Sequence, residues 1–228
     1  MKNFALSILL LLCVNFSFAQ NITIGIDNVV EKKAALSFLS GEKISFIDSV
    51  KVNDENKFNF SLVNHHLGIY RLTFNSNTWL DFIYDDEDME IETDANNILD
   101  SLKIIRSESN KLYYEFIKLN KDYKTKTELL QVILARYPKE DDYYQTTKEK
   151  LIQVREDYLY FINVTSQANP NSFVARYVRS AQLPVVHISI PNNEQLTFLK
   201  THGLDYVNFY DEGNFLFLKL LFCNQNAF

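Results

Sequence analysis

Carboxylates are the densest reactive groups in this sequence. Asp85, Asp86, Glu87 and Asp88 form an unbroken run, with Asp81, Glu90, Glu92 and Asp94 nearby. A cluster so rich in oxygen has the chemistry to attract Ca²⁺, which takes about six to eight oxygen ligands. The spacing does not match a calcium loop with its turn glycine. Glu90 and Glu92 fall on one strand face, as at a solvent-facing edge. The run therefore reads as a solvated hairpin tip whose charge discourages edge pairing. His65 and His66 would be a tempting metal pair, but neighbours on a strand point to opposite faces. His187 and His202 are isolated in sequence, so the histidines read as turn or surface residues rather than zinc ligands, which come in threes or fours. No G-x-S-x-G, G-x-x-x-x-G-K or G-x-G-x-x-G motif is present. No residue is assigned a catalytic, cofactor-binding or metal-binding role on these grounds, and no cofactor is expected.

Sulfur is as sparse as carboxylate is dense. Cys13 lies in an N-terminal segment that reads as an address: Lys2 is positive, Phe4 to Val14 is apolar, and Ser17-Phe18-Ala19 offers small residues where a signal peptidase reads. Cleavage after Ala19 is expected, with export and Gln20 as the new N-terminus. Leu12 before Cys13 is too large for the lipid-attachment pattern, and the apolar run is too short for a membrane span of about 20 residues. The mature chain would then hold only Cys223, which excludes an internal disulfide and leaves open an intermolecular one.

These residues need elements to hold them. From Ile22 to Thr93 the period is two: Ile22, Ile24 and Ile26; Phe58, Phe60 and Leu62; Ile69 to Phe74; Trp79 to Tyr84; Met89 to Glu92. The breaks are turn chemistry, at Ser40-Gly41-Glu42, Asn53 to Asn56, Asn64-His65-His66, Asn75-Ser76-Asn77 and the acidic run. Near Ser107 the period becomes 3.6. Leu112, Phe116, Leu119 and Tyr123 make one stripe. Leu130, Ile133, Leu134 and Tyr137 make a second, stopped by Pro138, with Thr125 to Glu128 at capping-box spacing before it. Leu151, Val154, Tyr158 and Phe161 make a third. Asn169-Pro170-Asn171-Ser172 ends that helix and starts another over Ser172 to Ser180, and a short helix near Glu194 to His202 ends at Gly203.

The expected fold is α+β: an N-terminal antiparallel β-sandwich or barrel-like domain followed by a helical region. The divisions are a signal peptide over 1–19, a β domain over 20–106, a helical connector region over 107–212 and an atypical tail over 213–228. That tail, with Phe215 to Phe222 almost wholly apolar, fits neither period and reads as the end of a frame-shifted or truncated gene product. The formal charge of −6 excludes a broadly basic nucleic-acid surface. No integral membrane segment is expected in the mature chain. With 18 Phe and 13 Tyr, the aromatics read as core filling, or as the lining of a groove for a ligand or peptide. Unpartnered apolar helix faces would promote self-association.

One family arrangement is similar. Gly68-Ile69-Tyr70-Arg71-Leu72, Phe82-Ile83-Tyr84 with its acidic turn, Ser107-Glu108-Ser109-Asn110-Lys111-Leu112, Asn169-Pro170-Asn171-Ser172-Phe173-Val174-Ala175 and Asp205 to Glu212 carry the likeness. Together they resemble the N-terminal, non-catalytic region of exported TlpA-like thiol-disulfide oxidoreductases of the thioredoxin family. The resemblance implies a role in thiol-disulfide interchange and cell redox homeostasis for the family, whose catalytic element is W-C-x-x-C. Trp79 has no Cys beside it and Cys223 has no partner, so no catalytic residue carries over. The expected function is a non-catalytic exported accessory or binding module with an unknown protein or small-ligand partner. The alternative is a self-contained envelope protein that binds a ligand or peptide.

Overall fold

Ile22, Ile24 and Ile26 alternate with Thr23, Gly25 and Asp27, and the alternation becomes strand β1 (Ile22–Asp27) with its three isoleucines almost fully buried. The computed structural model describes residues 20–207, apart from Glu42, Ile188 and Ser189. The predicted signal peptide, Cys13, the atypical tail and Cys223 lie outside the described residues. After β1 come β2 (Lys33–Ser40), β3 (Lys43–Lys51), β4 (Lys57–Phe60), β5 (Gly68–Asn75), β6 (Thr78–Tyr84), β7 (Met89–Asp94) and β8 (Lys103–Arg106). Among the described residues four helices follow: α1 (Glu108–Arg136), α2 (Asp142–Ala168), α3 (Phe173–Ser180) and α4 (Asn192–His202). The chain is α+β, strands first and helices after.

The strands form two four-stranded sheets, ordered β4-β1-β7-β8 and β3-β2-β5-β6. Their inner faces share one core, in which Ile22, Ile24, Phe58, Leu72, Phe82 and Ile91 are wholly buried. Burying each such side chain is worth roughly 1.5–3 kcal/mol. Gly68 is required by this core, because a Cβ there would lie 2.6 Å from the Phe38 ring. Gly41 turns the β2–β3 hairpin with φ of 60°, a conformation that favours glycine.

Two features depart from the sequence expectation. The pairing is antiparallel except between β1 and β7, which run parallel with Ile24 opposite Ile91. The chain builds the whole second sheet, and β4 of the first, between them, and then runs β7 in the same direction as β1. Nor is β7 an edge. It lies between β1 and β8, and Glu90 and Glu92 face Lys57 of β4, whose Nζ stands 3.2 and 3.8 Å from them.

The helices cover part of the second sheet's outer face. On its outer side Leu39, Ile69 and Ile83 meet Tyr113, Phe116, Tyr158, Ile162, Phe173 and Val178 from α1, α2 and α3. The change of period at Ser107 therefore marks a change of element type, while this second core spans it. The expected break between the first and second helical stripes does not occur. α1 runs unbroken for 29 residues, roughly 44 Å. Thr125, the expected cap, lies inside α1 instead of at a helix start, and two residues on the Thr127 hydroxyl donates to the Tyr123 carbonyl, 2.7 Å away. Pro138 ends the helix as expected, and Asp141 opens α2 by accepting from the Tyr143 amide. Among the described residues no helix is long and apolar enough to cross a membrane.

Candidate functional site

The acidic run is not a solvated hairpin tip. β6 and β7 belong to different sheets, so the turn between them crosses from one to the other. Its side chains reach the starts of two helices. Asp85 accepts from the backbone N–H groups of Phe173 and Val174 at the start of α3, at 2.9 and 3.3 Å, and from the Ser109 hydroxyl at 2.9 Å. Glu87 accepts from the Ser107 hydroxyl at 2.6 Å and from the Ser109 and Glu108 amides at the start of α1. Helix N-termini carry unpaired N–H groups and partial positive charge, so carboxylates from elsewhere in the chain satisfy both. Asp86 holds Gln20, whose Nε2 donates to its carboxylate at 2.6 Å, and Asp88 accepts from the Asn21 amide. The turn joins the first strand, the β6–β7 crossing and two helices.

Asn110 completes this joint. It is fully buried, and its side-chain amide pairs with Ile83 as another strand would: Nδ2 donates to the Ile83 carbonyl and Oδ1 accepts from the Ile83 amide, both at 2.8 Å. One turn on, the Tyr114 hydroxyl donates to the Asp81 carbonyl. These groups lie on the free edge of β6, so α1 closes an edge that would otherwise invite another strand. Ser107, the N-cap of α1, has φ of 131°, a strained value for a residue with a side chain. Its hydroxyl links Glu87 to the Asn110 amide.

A second site forms at the other end of the helical layer. Tyr158 stacks on Tyr123 with ring centroids 4.1 Å apart. Its hydroxyl donates to Asn120 of α1 and accepts from the Leu183 amide, both at 2.7 Å. Burial raises the Tyr158 phenol pKa well above the ordinary tyrosine value. The segment so anchored runs past Val186 into α4 and leaves two adjoining cavities against α1 and α2, of about 310 and 350 Å³. Arg155, Gln131 and Gln195 line both.

Arg155 is unusual. It is only 8% exposed, and its Nε has no hydrogen-bond partner. Among the described residues it forms no ion pair with a carboxylate. The Tyr123 phenol interacts with it, and burial draws its pKa below the ordinary guanidinium range. Lys124 and Lys200 line the larger cavity and Lys139 the smaller, with Glu128 as the acid of the lining. Tyr123, Leu183, Val186, Leu196 and Leu199 supply apolar wall. No sequence motif singles out Arg155. The signal was present: Leu151, Arg155, Tyr158 and Ile162 follow one helical stripe, and a charge on a buried stripe marks a site.

The remaining residues singled out from sequence stay apart. His65 and His66 are exposed in a turn, His187 is exposed, and His202 meets Asp205 at 2.6 Å. Among the described residues no cluster of three His, Cys, Asp or Glu side chains fits a metal ion. Trp79 lies on the outer face of the second sheet under the Arg71 guanidinium, 4.9 Å from its ring, while Arg71 grips Asp81 with two bonds. Comparison with known proteins finds no matching family model, no matching curated protein and no matching solved structure.

Proposed function

We propose that this chain is a non-catalytic accessory or binding module exported to the periplasm or cell envelope, equivalent to the N-terminal half of a TlpA-like thiol-disulfide oxidoreductase. The observation that carries this reading is the joint at the acidic turn. Asp85 and Glu87 tie the starts of α3 and α1 to the sandwich, so the helical layer is presented in a set orientation, as a positioning module requires. The sulfur content agrees, since disulfide exchange proceeds through a thiolate and a resolving thiol, and residues 20–228 contain only Cys223. The purified mature chain is expected to show no turnover in insulin reduction, and turnover would overturn the reading. N-terminal sequencing of the exported protein is expected to begin at Gln20; a start at Cys13 would contradict the export route proposed.

The groove around Arg155 favours the second reading, a self-contained ligand-binding protein of the envelope. A ligand that fills it stabilises the folded chain, so a concentration-dependent rise in Tm is the expected signature.

A further inference from the structure

We propose that the Arg155 groove binds a carboxylic acid with an apolar body, the guanidinium taking the carboxylate and the walls of the larger cavity taking the rest. The inference rests on the ligand-binding reading and names its ligand class. A buried cation without a counter-ion is costly, and an unsatisfied N–H adds to the cost. Among the described residues Arg155 has no carboxylate partner, and at 8% exposure its Nε makes no hydrogen bond. A carboxylate in the groove supplies the counter-charge, because its oxygens match the guanidinium fork. Lys200 at the rim adds attraction for an anion. Leu196 and Leu199, 61% and 39% exposed, stand beside Leu183 and Tyr123 where a tail would cover them. A doubly charged or sugar-like anion would leave that apolar wall uncovered, which selects a monocarboxylate with an aliphatic or aromatic body.

The chemistry is shared by fatty acids and by the free C-terminus of a short apolar peptide. The test is calorimetric titration of the full mature chain with octanoate and with acetyl-Leu-Leu, each beside its neutral amide. The acid of at least one pair is expected to bind about tenfold or more tightly than its amide, as loss of a charged hydrogen bond predicts. Which acid binds more tightly identifies the source. Arg155→Met is expected to lose this preference while remaining folded, and Lys200→Gln to weaken binding of the acid by a smaller factor. Equal binding of acid and amide, or no binding of either acid up to about 10 mM, would overturn the proposal. Should Arg155→Met fail to fold, the acid–amide contrast and Lys200→Gln decide it on folded protein. Failure here, with insulin reduction still absent, leaves the accessory-module reading standing; insulin reduction with carboxylate binding intact overturns that reading alone.

Discussion

The acidic turn and the Arg155 groove both concentrate charge, and they treat it in opposite ways. In the turn, Asp85 and Glu87 receive backbone and hydroxyl hydrogens from α1 and α3. In the groove, one guanidinium is buried with a donor unused. Charge density along the sequence ranks the turn first and misses the groove. What separates a structural charge from a site that awaits a ligand is whether its hydrogen-bonding capacity is already used within the fold.

The sharpest global contrast is in alkali. Burial raises the phenol pKa values of Tyr113, Tyr114, Tyr158 and Tyr177 in the helical layer and of Tyr70 in the sandwich. Unfolded phenols ionise near pH 10 while these keep their protons. Their contribution is complete below about pH 10 and is lost as pH climbs toward the folded values. Chemical denaturation between pH 8 and about 12 is expected to show stability falling steeply above pH 10, with tyrosinate absorbance rising as the helices melt. A flat profile would mean that these rings are wet.

Mutation of the joint comes next. Asn110→Ala leaves the Ile83 amide and carbonyl without their partners on a buried edge, and a loss of about 3 kcal/mol is expected by urea denaturation. Asp85→Ala frees the Phe173 and Val174 N–H groups at the start of α3 and strands the Ser109 hydroxyl, with an expected loss of about 2 kcal/mol. Arg155→Met should move the other way. Replacing a buried cation that has no carboxylate partner among the described residues by a side chain of similar length is expected to gain about 1 kcal/mol. A loss there as large as at Asn110 would place the groove with the turn, as structure rather than site.

The sequence showed the sandwich strands in part and the helices almost throughout, because both depend on local period. Phe58, Tyr70 to Phe74 and Met89 to Ile91 alternate as strands must. β2, β3 and β8 fall outside the alternating runs; in β3, an edge strand, the outward Ile44 and Phe46 blur the alternation, being 56% and 66% exposed. Ser172 was readable as the start of a helix because its hydroxyl caps its own helix, accepting from the Ala175 amide. Asp85 and Glu87 were not readable as caps. They serve helices that begin 20 or more residues away, and no local rule pairs a turn with a distant helix start. The parallel pairing of β1 with β7 is hidden for the same reason, since it is decided by the route of the chain through the second sheet.

The finest test lies within the turn itself. Asp85 and Asp86 are neighbours with the same side chain, yet Asp85 uses both oxygens on α3 while Asp86 holds Gln20 and Tyr84 at the surface. Asp86 also adopts φ of 59°, which Asn tolerates as well as Asp. Asp86→Asn keeps an acceptor and the backbone shape, so stability is expected to change by less than about 0.5 kcal/mol. Asp85→Asn converts one of two acceptor oxygens into a donor facing a backbone N–H, and about 1 kcal/mol or more is expected to be lost. Paired urea titrations of the two variants measure the difference. Equal effects would mean that the turn acts through its summed charge rather than through the hydrogen bonds of Asp85.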